Sequence, residues 1–146
     1  MKRILVFAFT ILLASGCGSS NVASYGKVDS LEKTGTIPAG HYGVLDVMKK
    51  TLTEEGWTLI VSEGDEKIVG TVGSEVDLTK THERKPRYRF LVHQHAYDVC
   101  IPNGYLAVNY EIVVVDNKTG AELTSILGNG CLGILNAKIA AALRGL

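Results

Sequence analysis

Apolar residues recur along this chain with two different periods, and the changes of period mark out its elements. Leu45, Met48 and Leu52 follow one another at three and four residues, with Val44 beside them, while Lys49, Lys50, Thr53, Glu54 and Glu55 take the other faces. That spacing predicts an amphipathic helix over 41–55, closed by Gly56 and blocked upstream by Pro38. From Trp57 the period becomes two: Trp57, Leu59 and Val61 share one face, and the Glu63–Glu66 turn follows. Ile68, Val72, Val76 and Leu78 suggest a second, imperfect strand, with Gly70 and Gly73 marking a bend or bulge. Val28 to Leu31 gives a weaker signal for a short edge strand.

The clearest alternation spans 87–116. Tyr88, Phe90, Val92 and Ala96 alternate with Arg89, Leu91, His93 and His95. Beyond Ile101-Pro102-Asn103-Gly104, Leu106, Val108, Tyr110, Ile112 and Val114 alternate with Ala107, Asn109, Glu111 and Val113. This predicts a long antiparallel hairpin with one buried face. Asp116–Gly120 turns into a strand at 121–127, Gly128-Asn129-Gly130 ends it, and Leu132, Leu135, Ile139 and Leu143 mark a C-terminal helix. Two amphipathic helices and a one-faced sheet imply an α+β two-layer sandwich: four to five antiparallel strands with both helices on one face. The single domain is expected over 36–146.

The first sixteen residues follow neither pattern. Lys2 and Arg3 precede an uncharged apolar run, Ile4 to Ala14, of the length of a signal-peptide core. A spanning helix, the competing reading, needs roughly 20 apolar residues, and Gly16 to Ser20 stop the run short of that. Leu13-Ala14-Ser15-Gly16-Cys17 resembles the lipobox of bacterial lipoproteins, with Ala14 standing where leucine is commoner. The resemblance implies cleavage before Cys17, diacylglycerol transfer to its thiol and usually a third acyl chain on the new amine. Several acyl chains anchor a protein stably, where one does so marginally. Gly18 follows the cysteine in place of the aspartate that retains lipoproteins at the inner membrane, so the resemblance implies the outer membrane. Residues 17–35, small and polar at their start, read as a flexible tether.

Loss of the leader lowers Lys plus Arg from 15 to 13, with the loss of Lys2 and Arg3, against 15 Asp plus Glu. A near-neutral exported chain offers no electrostatic case for nucleic acid. With Cys17 assigned to lipid, Cys100 and Cys131 remain as a pair in an oxidising compartment and are expected to bond; two separate buried thiols are the alternative.

Three clusters offer chemistry. His93 and His95 project from one face of a strand, and hairpin pairing with an even index sum places Glu111 opposite one of them, a set that would suit zinc. The plain alternative is a solvent-facing polar row. Lys80, His82, Arg84, Lys85, Arg87 and Arg89 form a basic run that is either a solvated loop or a contact for lipid phosphates. Leu91, Tyr97, Tyr105 and Val113 offer a partly apolar patch for a partner. The sequence holds no Gly-x-Ser-x-Gly elbow, phosphate-binding Gly-Lys loop or His-Glu-x-x-His pair. Glu55-Gly56-Trp57 followed by Asp65 to Val72 resembles small α+β envelope lipoproteins of two-membraned bacteria, which implies an accessory or assembly role. The expected function is therefore a non-catalytic interaction module on the outer membrane with an envelope protein as partner and no cofactor. A periplasmic metal or small-ligand binder and an envelope-polymer hydrolase are the alternatives.

Overall fold

The computed structural model describes residues 18–62 and 86–146. The leader at 1–16, Cys17, the strand expected within 68–78, the Asp65–Val72 motif and the basic residues Lys80 to Lys85 lie outside the described residues. Among the described residues, six strands and two helices run in the order β1 (Gly18–Ser24), β2 (Thr34–Pro38), α1 (Val44–Glu54), β3 (Thr58–Ser62), β4 (Tyr88–Val99), β5 (Leu106–Asp116), β6 (Glu122–Cys131) and α2 (Leu132–Arg144). They make one mixed sheet of order β1-β6-β5-β4-β2-β3.

The class is α+β, as the periods predicted, but the sheet is neither purely antiparallel nor limited to five strands. β1, β6, β5 and β4 pair antiparallel, while β2 runs parallel to both β4 and β3. The parallel part follows from connectivity. β2 lies before α1 and β3 after it, and a helical crossover returns the chain in the direction it left. Pro38 ends β2 as its last residue, where its missing N–H is tolerated. The edge strand suggested at Val28–Leu31 is absent; the chain there is a link, and the strand forms at Thr34–Pro38 with Gly35 and Ile37 buried.

Both helices share one core with the inner face of the sheet. Val44, Leu45, Met48 and Leu52 from α1 meet Leu135, Ile139 and Leu143 from α2 over Ile37, Phe90, Val108, Tyr110, Ile112, Val114 and Ile126. Each such aliphatic side chain contributes about 1.5–3 kcal/mol by leaving water. α1 starts at Val44, three residues later than its period allows, because Gly43 adopts φ 52°. Gln94 explains that start. It is half-buried on the inner face of β4, and its Oε1 accepts the Val44 N–H at 2.8 Å, serving as the helix cap from across the sheet.

Inward alternation holds along most of the hairpin and fails at its tip. Ala96 and Leu106, expected on the buried face, are exposed. A register shift between Ala96 and Asp98 leaves Tyr97 as an extra residue, and the two strands continue to Val99 and Leu106. β6 likewise runs through Gly128-Asn129-Gly130, which the sequence suggested would end it, to Cys131.

Where the sequence predicts a tether, the chain enters the sheet at once: Gly18 to Ser24 pair residue for residue with Gly130 to Thr124. The pairing demands a bare backbone at Gly128. A Cβ there would fall 2.3 Å from the Ser19 carbonyl oxygen and 2.6 Å from the Tyr110 ring. Tyr110 in turn donates its hydroxyl to Ser20 Oγ at 2.8 Å. Gly128→Ala is therefore expected to cost about 1–3 kcal/mol through overpacking and to speed amide exchange across 18–24. Unchanged exchange in that strand would refute this account of β1.

Candidate functional site

Three regions hold the residues singled out by the sequence. On the outer face of the sheet the register places His93 opposite Glu111 and His95 opposite Asn109. The row continues to Leu127 and Asn129 on β6 and to Asn21 and Ser19 on β1. Directly opposed side chains there have Cβ atoms about 5 Å apart, so the expected histidine–carboxylate pair exists. Both histidines are exposed in a shallow recess of about 310 Å³ with Asn109 and Glu111 on its wall. Among the described residues no group of three His, Cys, Asp or Glu is placed to hold a metal ion. His93, His95 and Glu111 thus form a cross-strand pair with a neighbour one step along, and not a three-ligand centre.

The hairpin tip is the second region. Cys100, one residue past β4, is bonded to Cys131, the last residue of β6 and the residue that precedes α2, with Cα atoms 6.0 Å apart. The tip loop closes on itself through Cys100 N–H to the Tyr105 carbonyl at 2.7 Å and Gly104 N–H to the Cys100 carbonyl at 2.9 Å. Around it Tyr97, Val99, Ile101, Tyr105 and Leu106 are exposed. The apolar patch expected from Leu91, Tyr97, Tyr105 and Val113 is divided by this geometry. Leu91 pairs with Val113 in mid-sheet, whereas both tyrosines go to the tip.

At the opposite end of the hairpin, Arg87 leaves the basic run and enters an ion-pair network. Its Nη2 donates to Asp116 Oδ2 at 2.8 Å and its Nη1 to Glu32 Oε2 at 3.2 Å, and Lys118 Nζ reaches Glu32 at 2.9 Å. The guanidinium lies 5.5 Å from the centre of the Tyr88 ring, and Nε is buried without a partner. Thr34 Oγ1 accepts the Arg87 N–H at 3.0 Å, so the network ties the β1–β2 link and β2 to the β5–β6 turn. A recess of about 720 Å³ opens beside it, lined by Leu31, Glu32, Thr34, Ile60, Pro86 and Lys118 among others. Neither β1, β2 nor this network was legible beforehand; the alternation of Gly35 and Ile37 with Thr34 and Thr36 is the signal that could have found β2.

Burial pushes the Asp116 carboxyl up, but the Lys118 N–H, Arg87 and the Thr119 groups outweigh it and hold the carboxyl below its ordinary range. For Arg87 desolvation pulls down and is outweighed by Asp116, Tyr88 and Glu32, which raise it. A depressed carboxyl contributes stability above its unfolded value of about 3.9 and loses it as pH falls through the lower folded value. Wild type is therefore expected to lose denaturation midpoint below about pH 4 more steeply than Asp116→Asn. Parallel acid limbs for the two proteins would refute the assignment.

No helix among the described residues is long and apolar enough to cross a membrane. No protein-family model matches the chain, and no curated protein matches it. Among solved structures it is similar to the PelC dodecamer from Paraburkholderia phytofirmans in space group P6. That likeness has 14% identity and a TM-score of 0.58, covering 88% of this chain and 96% of that one. A point variant of the same dodecamer in space group C2 gives 13% identity and a TM-score of 0.54, with 88% and 95% covered. At such identity the likeness is one of fold.

Proposed function

We propose that this chain is an exported lipoprotein, acylated on Cys17 and held at the outer membrane. There it acts as a non-catalytic assembly module whose first partner is further copies of itself. The observation that carries the self-assembly is the fold likeness over 88% of the chain to a protein solved as a dodecamer. The lipobox at Leu13–Cys17 supports the anchor, and the disulfide between Cys100 and Cys131 suits an oxidising compartment. A sheet that starts one residue after the anchoring cysteine would give every copy the same fixed height above the lipid, which favours closed symmetric contacts over random ones.

The test is cross-linking in intact cells with the leader and Cys17 preserved, followed by native mass spectrometry of the membrane extract. A discrete multimer whose subunits carry the acyl mass on Cys17 is the expected result. Monomer alone, across a range of cross-linker lengths, would overturn the assembly reading. An unacylated N-terminus would overturn the anchor.

A further inference from the structure

We propose that the disulfide-locked tip of the β4–β5 hairpin is a membrane-docking element that enters the lipid interface beside the acylated residue. The inference rests on the lipid anchor at Cys17 proposed above. Its starting point is register. Gly18 pairs with Gly130, and Gly130 pairs with Val108, so the first residue of β1 stands level with Val108 on β5. Cys17 follows by one covalent step, within about 3.8 Å of Gly18 between Cα atoms. Leu106 lies two residues beyond Val108 in the same direction, roughly 7 Å along the strand, and the turn at Ile101–Gly104 lies further still. The tip thus reaches past the level at which the acyl chains leave the protein.

No slack separates the two. Gly18 is already hydrogen-bonded into the sheet, Lys138 Nζ holds the Gly18 carbonyl, and Ser19 Oγ donates to Asn129 at 2.8 Å. The tip is equally fixed, since Cys100–Cys131 joins it to the start of α2. A rigid body anchored at Gly18 with its strands running toward the bilayer brings the tip into contact with it.

The tip has the composition that such contact favours. From Ala96 to Leu106 the sequence contains a single charge, Asp98, whose Oδ1 accepts the Val99 N–H at 2.7 Å. Ile101 is 93% exposed, and Val99, Tyr97 and Tyr105 are each about half exposed (52%, 52% and 51%). Tyrosines flanking an aliphatic residue match the interfacial region of a bilayer, where an apolar ring and a polar hydroxyl are both accommodated. The far end of the sheet contrasts with it, because Glu32, Arg87, Asp116 and Lys118 form their ion pairs there.

The experiment uses the acylated full-length protein reconstituted in vesicles of phosphatidylethanolamine and phosphatidylglycerol, with and without bromine on the lipid acyl chains. Ile101→Trp places a probe at the tip, and Leu31→Trp places one at the far end on a residue 92% exposed. The single native tryptophan, Trp57, is 5% exposed, and its emission in the parent protein is subtracted. Brominated lipid is expected to remove about half of the added emission at position 101 and to leave position 31 unchanged, as for a side chain at interfacial depth. Two results would overturn the proposal while the anchor stands, as judged by the acyl mass on Cys17. One is an unquenched, solvent-like probe at 101, which means the domain stands clear of the lipid. The other is an unquenched, blue-shifted probe, which means that another protein surface covers the tip. Absence of the acyl mass would remove the anchor and this inference together.

Discussion

Phe90→Ala is expected to lower the unfolding free energy by about 3–5 kcal/mol, which brings a domain of ordinary stability, about 5–15 kcal/mol, close to its margin. Phe90 is 1% exposed and stands where the two halves of the sheet interlock. Its strand is antiparallel to β5 on one side and parallel to β2 on the other. Its ring meets Trp57 edge-on, with centroids 5.1 Å apart and planes at 69°, and Trp57 meets Tyr88 similarly at 5.5 Å. Gly35 on β2 is bare because a Cβ there would come within 2.6 Å of the Phe90 ring. Truncation therefore leaves a cavity beside Gly35, which has no side chain to fill it. Phe90→Leu keeps most of the volume and should recover most of the loss. Equilibrium denaturation in urea measures both, and a cost below about 1 kcal/mol for the alanine variant would show that β2 and β4 are held by something other than this ring.

Removing the disulfide is the other large effect. Cys100 and Cys131 are 31 residues apart, and closing a loop of that length is worth about 3–4 kcal/mol by the chain-entropy model, with measured values usually about 2–4 kcal/mol. The bond spans β5, which lies between β6, where Cys131 is the last residue, and β4, which Cys100 follows. The expected loss for Cys100→Ser/Cys131→Ser thus combines a global and a local part. Globally, the denaturation midpoint falls, and reductant shifts the parent protein to the variant's midpoint without moving the variant. Locally, residues 97–106 lose their tie to α2, and their amides should exchange faster than those of the β5–β6 turn. A variant as stable as the parent would mean that the reduced chain keeps the tip closed through the Cys100–Tyr105 and Gly104–Cys100 backbone bonds alone.

Much of this architecture is legible in the sequence for a simple reason. Residues buried on one face repeat with the period of the element that carries them. Leu45, Met48 and Leu52 identify α1, Leu135, Ile139 and Leu143 identify α2, and the row Val108, Tyr110, Ile112, Val114 identifies β5 with its inward face. An even index sum was expected to place Glu111 opposite His93 or His95, and the register shift beside Tyr97 selects His93. The bond between Cys100 and Cys131 was the expected one of two readings, the other being separate buried thiols.

Other features needed the tertiary structure because backbone pairing leaves no side-chain signature. β1 is an edge strand of Gly, Ser, Asn and Ala with a single valine, a composition that suits a tether as well as a strand. Its ladder is made by peptide groups, and only the bare backbone at Gly128 betrays the partner. β2 has two buried positions, too few for a period to stand out, and its parallel direction depends on the crossover through α1. Gln94 looks like a polar lapse in an apolar row until α1 is seen to start against it. Arg87 looks like one more cation in a basic run until Asp116 and Glu32 converge on it from two other segments. The sequence by itself determined the faces, because burial of a face is local and periodic. Strand neighbours, their direction and the partners of single polar groups were decided by the tertiary structure, because they depend on which distant backbone arrives alongside.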